Sequence, residues 1–144
     1  MAYFAILNEN NIVTNVVKVS NNIAITEEAG ITFLKNIYKN ENLKALQTSY
    51  NTYQGVHLNP LNRQPDGGTP IRGNYAEIGF IYNEEDDFFH KPRPLDRNGL
   101  LCNSWNLSRL IYDWKPPVVY PNIENTIFYW DEPTLSWVET TIEE

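Results

Sequence analysis

Residues that carry chemistry are scarce in this chain of 144 residues. A single cysteine, Cys102, excludes an internal disulfide framework and any cysteine-based zinc site. A buried, inert thiol is the reading that fits it. His57 and His90 are the only histidines, and neither has a cysteine, a second histidine or a carboxylate at ligand spacing, so each reads as a surface histidine and no metal is expected. The chain has no G-x-S-x-G elbow, no P-loop and no dinucleotide fingerprint, and Asp66-Gly67-Gly68 is a turn. No catalytic residue and no cofactor is expected, and the chain reads as a non-enzyme. No apolar run approaches the ~20 residues that span a membrane. Met1 to Leu7 lacks the basic flank and small-residue cleavage site of a secretory signal.

Basic residues are absent after Lys115, and prolines are absent before Pro60. Of 18 acidic residues set against 11 basic ones (net charge −7), Glu124, Asp131, Glu132, Glu139, Glu143 and Glu144 lie beyond Lys115. The rest of the chain is nearly balanced. An acidic chain of this kind repels phosphate backbones and anionic membrane surfaces, so neither nucleic acid nor membrane is an expected partner. The acids read as the solvated edge of an end strand. The cluster Glu84-Glu85-Asp86-Asp87 lacks the ligand order of a calcium loop and reads as a solvated hairpin tip.

What the chain does have is material to pack. It is 42% hydrophobic, 20% charged and 13% aromatic, with nine prolines, which argues for a globular fold. The length fits one domain, 1–144, that buries roughly 70% of its unfolded surface. Within it we distinguish a β-hairpin and helix part (1–53), a long loop (54–74) and an aromatic hairpin part (75–144).

Ala2 to Leu7 and Ile12 to Val19, rich in β-branched and aromatic residues, read as the arms of an antiparallel hairpin across Asn8–Asn11. The second arm alternates Val13, Asn15, Val17 and Val19 against Ile12, Thr14, Val16 and Lys18. Thr26 reads as a helix N-cap followed by Glu27 and Glu28 at the positive dipole end. Ala29, Phe33, Leu34, Ile37 and Tyr38 form an apolar stripe, and Asn40 a stop. Leu43 to Tyr53 is compatible with a short helix or an extended segment. The polar stretch 54–74 is long for a loop, and is expected to be mobile or fixed by another chain.

A weak repeat marks the C-terminal half. Tyr82 and Phe89, Leu107 and Trp114, Trp130 and Trp137 are each seven residues apart across a turn-forming gap. That spacing suits hairpins whose bulky residues meet across the strands. YAEIGFIY (75–82) and IFYW (127–130) read as first arms, and three stacked aromatic hairpins are expected. Leu110-Ile111-Tyr112 sets the middle one apart. The fold class is α+β: an N-terminal antiparallel hairpin packed by one helix, then a proline-rich, aromatic hairpin half. Trp105, Trp114, Trp130 and Trp137 read first as core, with an interface and a sugar-stacking platform as the alternatives. His57 and Arg63, in the long loop, join them as candidate interface residues.

FAILNENNIVTNVVKV (4–19), QTSYN (47–51), RGNYAEIGFIYNEEDDFF (72–89), SWNL (104–107) and YWDEPTLSWVE (129–139) carry a resemblance. In these patches the chain resembles small virion structural proteins of marine tailed bacteriophages, those of cyanobacteria and other ocean bacteria. The 19 asparagines fit a genome rich in A and T. Members of that family often have a further Trp and a shorter hairpin where this chain has Leu107 to Tyr112. The resemblance implies a structural component of the virion, assembled in the host cytoplasm, whose partners are other virion proteins. A capsid decoration or auxiliary head protein on the major capsid protein is the leading expectation, with self-association as a further possibility. A tail, neck or baseplate adaptor and a carbohydrate-binding receptor module are the alternatives.

Overall fold

The computed structural model describes residues 1–140; the last two glutamates of the acidic end, Glu143 and Glu144, lie outside the described residues. The fold is mostly β with a single helix and several antiparallel hairpins, compatible with α+β. Its elements are β1 (Ala2–Leu7), β2 (Val13–Val19), α1 (Glu27–Tyr38), β3 (Lys44–Thr48), β4 (Thr52–Tyr53), β5 (Val56–His57), β6 (Ile81–Asn83), β7 (Phe88–His90), β8 (Asn106–Ser108), β9 (Asp113–Lys115), β10 (Ile127–Asp131) and β11 (Ser136–Thr140). The chain divides into two compact units: unit 1 is Met1–Pro92 with Leu110–Tyr112, and unit 2 is Arg93–Arg109 with Asp113–Glu144. The long loop lies inside unit 1.

Unit 1 is built on an antiparallel sheet in the order β2–β1–β3, so the undecided segment after Leu43 is strand over Lys44–Thr48 and Thr52–Tyr53, with a turn at Tyr50 and Asn51. Both faces of this sheet are covered. One packs Ala2, Phe4, Val19 and Ala45 against Leu34 of α1; the other packs Ala5, Leu7 and Val13 against Ala76 and Phe89. The strict alternation expected for β2 fails at a bulge. Ile6 pairs with Asn15 but Leu7 with Val13, which leaves Thr14 as the extra residue. Its hydroxyl donates to the Ile6 carbonyl at 3.2 Å. The slip moves Val13 to the face opposite Val17 and Val19.

Thr26 caps α1 as its sequence suggests, its Oγ1 accepting from Ala29 N at 3.1 Å, while Lys39 ends the helix in the left-handed region (φ 52°) one residue before Asn40. The apolar stripe has the expected period but a different phase. Gly30 and Leu34 are the buried positions, whereas Ile37 and Tyr38 are exposed. Gly30 sits at the closest approach of helix and sheet, where the Phe4 ring lies against its Cα.

Hydrogen bonds from its own unit run along segment 54–74. Gln54 and Gly55 (φ 46° and 78°) make the two-residue left-handed turn between β4 and β5. Gly55 N then donates to Gly73 O at 2.7 Å, Leu58 N to Asn51 O at 2.6 Å and Asn59 N to Gln64 O at 2.8 Å. Arg72 fastens the far end. Its Nη1 and Nη2 donate to the Glu27 carboxylate at 2.7 and 3.1 Å, its Nε to Asp87 Oδ1 at 2.8 Å and its Nη1 also to Gln47 O at 2.9 Å. Tyr82 Oη donates to the same Asp87 oxygen at 2.6 Å. Burial and this bond push the Tyr82 hydroxyl up to about 12.

The three heptad-spaced pairs are directly opposed in the ladders: Tyr82 with Phe89, Leu107 with Trp114 and Trp130 with Trp137. Each hairpin has a four-residue loop whose last residue is left-handed, Asp87, Tyr112 and Leu135 at φ 55°, 53° and 51°. Asn83 and Asp131, which precede two of the loops, accept from the backbone N–H three residues on, at 3.0 and 3.2 Å. The hairpins form separate two-stranded ladders rather than a shared sheet. The first arm expected at 75–82 shrinks to β6, because Tyr75 N and Ala76 N donate instead to Thr52 O and Thr48 Oγ1, both at 2.9 Å, and Ile78–Gly79 is a turn. The aberrant tip of the middle hairpin belongs to unit 1, where the Tyr112 ring packs on Phe88 (5.0 Å between centroids) and its carbonyl accepts from Asn74 Nδ2 at 2.9 Å.

Candidate functional site

Unit 2 gathers three of the four tryptophans into one cluster. The β10–β11 register opposes Trp130 and Trp137, with ring centroids 5.1 Å apart at 71°. Trp105 meets them edge-on at 5.8 and 6.0 Å, and Tyr120 lies 4.9 Å from Trp137. These are the tilted and edge-to-face arrangements that ring quadrupoles favour.

Polar partners fix three of the rings. Trp130 Nε1 donates to Glu132 Oε2 at 2.7 Å, Trp137 Nε1 to Val118 O at 2.7 Å, and the Tyr120 hydroxyl accepts from Phe128 N at 3.1 Å. Trp105 Nε1 is buried without a hydrogen-bond partner among the described residues.

Two carboxylates, Asp96 and Glu132, hold the unit together. Glu132 accepts from Trp130 Nε1 and from both Ser104 N and Ser104 Oγ, at 2.7 and 2.8 Å. Asp96 accepts from Asn98 N, Leu100 N and Glu132 N at 2.8 to 2.9 Å. The Trp130 indole donor, with the Ser104 donors, lowers the Glu132 carboxyl below its usual range. Burial works against ionisation of Asp96, but its backbone donors outweigh it and lower that group too. Burial, joined by Glu132 and Asp96, pushes the Cys102 thiol up, away from the reactive thiolate.

Beside the cluster runs an open groove of about 600 Å³, lined by Trp105, Phe128, Tyr129, Trp130 and Trp137 with Asp96 and Arg97 at its polar side. Tyr129 is 49% exposed there.

None of the remaining candidates lines this groove. Trp114 carries the Arg93 guanidinium 4.3 Å above its ring, while Arg93 Nη1 donates to Cys102 O and Trp105 O at 2.9 and 2.6 Å. His57 and Arg63 belong to unit 1. His57 Nδ1 is 2.7 Å from Asp66 Oδ1. Arg63 stacks 4.5 Å over Tyr50 and donates to Asn51 Oδ1 and Tyr50 O. Both are thus engaged within their own unit. Among the described residues no group of three or more His, Cys, Asp or Glu side chains is placed to hold a metal ion, and no helix is long and apolar enough to cross a membrane.

Sequence reasoning missed Asp96, Glu132, Arg97 and Tyr129. Glu132, among the acidic residues near the chain end, reads as solvated charge, and Asp96 carries no pattern; only their hydrogen bonds reveal them as internal acceptors. No protein-family model, curated protein or solved structure matches this chain.

Proposed function

We propose that this protein is a non-enzymatic structural component of a tailed-phage virion, acting as a capsid decoration or auxiliary head protein bound to the major capsid protein. The observation that carries the reading is the make-up of unit 2. Among its described residues only Cys102 and Trp130 are buried apolar side chains, while Leu95, Leu100, Leu101, Val118, Val119, Tyr120, Ile123, Ile127, Tyr129 and Leu135 are exposed. Roughly fifty residues with so small a core, no disulfide and so much apolar surface need a further source of stability. Binding to an assembled lattice supplies it by mass action, and the protein in turn stabilises that lattice. The resemblance to marine phage virion proteins points the same way.

The test is its abundance in purified virions of the phage that encodes it. A decoration protein is present at a copy number near that of the major capsid protein and is missing from isolated tails. A low copy number tied to threefold, sixfold or twelvefold symmetry would replace this reading with a tail, neck or baseplate adaptor. Absence from the particle would overturn both. One observation favours a second role: the aromatic groove, lined by an exposed Tyr129 and by Arg97, has the chemistry of a saccharide platform. A glycan array that lights up for the intact protein and goes dark for Tyr129→Ala would establish that role. A flat array would remove it.

A further inference from the structure

We propose that unit 1 forms an internal isopeptide bond between Lys44 and Asn11, with Glu84 as the group that moves the proton. Three chain segments bring these side chains together. Asn11 lies in the turn between β1 and β2, Lys44 is the first residue of β3, and Glu84 opens the loop between β6 and β7. The Asn11 carboxamide lies between the other two: Lys44 Nζ donates to its Oδ1, and its Nδ2 is 3.5 Å from Glu84 Oε2. Its backbone is fixed as well. Asn11 is left-handed (φ 61°), its N–H donates to Asn8 O at 3.0 Å, and its carbonyl accepts from Tyr82 N at 2.8 Å. Pairing of Lys44 with Leu7 anchors the lysine backbone in the sheet. An amine nucleophile, a carboxamide electrophile and a carboxylate base are thus brought together from three chain segments on anchored backbone, with the Lys44 and Glu84 side chains exposed.

The chemistry balances without an outside reactant. Lys44, after losing its ammonium proton to water, adds its nitrogen lone pair to Asn11 Cγ, and the carbonyl π pair moves onto Oδ1. In the tetrahedral adduct both nitrogens are bonded to Cγ, so a carboxylate that reaches Nδ2 reaches Nζ as well. Glu84 takes the proton from Nζ and returns it to Nδ2. The Cγ–Nδ2 bond then breaks as the carbonyl re-forms, releasing ammonia. The product is a secondary amide that ties the β1–β2 turn to β3 and closes a loop containing β2 and α1. A cross-link of that length constrains the unfolded chain as a disulfide would, in a protein with a single cysteine.

Intact-mass spectrometry of the purified full chain tests this. The expected mass is lower than the sequence mass by one ammonia, about 17 Da, and a tandem spectrum of the digest shows a branched peptide joining the Asn11 and Lys44 segments. Asn11→Ala and Lys44→Arg restore the full residue mass and melt about 10 °C below the parent, as loss of a long-loop cross-link predicts. Lys44→Arg keeps the charge and a donor but has no nucleophilic amine. Glu84→Gln forms the bond at least tenfold more slowly, and wild-type kinetics in that variant would remove Glu84 from the proposal. A wild-type chain that keeps its full sequence mass after days at about pH 9, where more of any lysine is neutral, overturns the bond. So does a loss of ammonia that persists in Lys44→Arg, since a succinimide at Asn98-Gly99 has the same mass change.

Discussion

Replacing Gly30 with alanine reverses the usual sign of a helix substitution. Inside an exposed helix, alanine is better than glycine by about 1 kcal/mol, because glycine loses more backbone freedom on folding. Gly30 occupies an α1 position whose backbone suits any residue, so that gain is available. The space is not. A Cβ built at Gly30 falls 2.3 Å from Phe4 Cζ, 2.8 Å from Cε2 and 3.0 Å from Cε1. Phe4 is completely buried on the central strand, inside a cluster with Ala2, Val19, Leu34 and Ala45. Its ring has no solvent side to swing towards, so the helix must lift or the ring must leave its rotamer. Overpacking of this kind costs about 1–3 kcal/mol, and a contact this short on a fully buried ring belongs in the upper half of that range.

Set against the propensity gain, Gly30→Ala is expected to destabilise unit 1 by about 1–2 kcal/mol. The midpoint of thermal unfolding then falls by at least 4 °C, at about 4–8 °C per kcal/mol for a domain of under 100 residues. Urea and thermal unfolding followed by far-ultraviolet circular dichroism measure it. Thr32→Ala, at an exposed position of the same helix, supplies the control and is expected to be neutral or stabilising. Phe4→Leu opens room at the contact. The Phe4→Leu/Gly30→Ala double variant should therefore be more stable than the two single losses predict, with a coupling of about 1 kcal/mol or more. If Gly30→Ala matches or exceeds the parent in stability, the helix does not press on Phe4 and the packing argument for unit 1 is wrong.

Three further outcomes follow from the contacts described. Arg72→Ala should cost about 2 kcal/mol, because the guanidinium and Glu27 are mostly buried while Asp87 is well exposed and contributes little. Arg72→Lys should recover less than half of that in urea denaturation, since a lysine cannot serve Glu27, Asp87 and Gln47 at once. Leu135→Gly should raise the unfolding midpoint, because an exposed leucine at φ 51° carries about 1 kcal/mol of left-handed strain that glycine does not; an unchanged or lower midpoint would show that the loop has relaxed around the leucine. Asp96 and Glu132 have folded-state carboxyl pKa values below their ordinary ones, so their stabilisation is complete above about pH 5 and is lost as the pH falls through the lowered values, below about pH 4. Tryptophan fluorescence should report that acid transition, and Asp96→Asn together with Glu132→Gln should flatten it.

How much of this was legible in the sequence depended on whether a feature has a period. A hairpin with a four-residue loop opposes residues seven apart, so the pairs 82/89, 107/114 and 130/137 could be read directly. Thr26 was legible because a cap is a local pattern. Where one residue interrupts a period, the reading slips. Thr14 bulges out of β2 and reverses the face of Val13, and Gly30 counts as a gap in an apolar stripe although it is the point of closest packing. Left-handed loop ends were invisible because Asp87, Tyr112 and Leu135 occupy them in place of glycine or asparagine. The site was the least legible part, since Arg93 meets Trp114, and Asp96 meets Glu132, across stretches with no pattern. Glu132 also changes the meaning of the acidic end. In unit 2 the carboxylates of Asp96 and Glu132 are turned inward as acceptors, while leucine, isoleucine, valine and tyrosine side chains are turned out. That is the reverse of how an isolated domain stabilises itself. On the function proposed above, a partner covers the apolar exterior, and the internal carboxylates fix the shape of the surface it would bind.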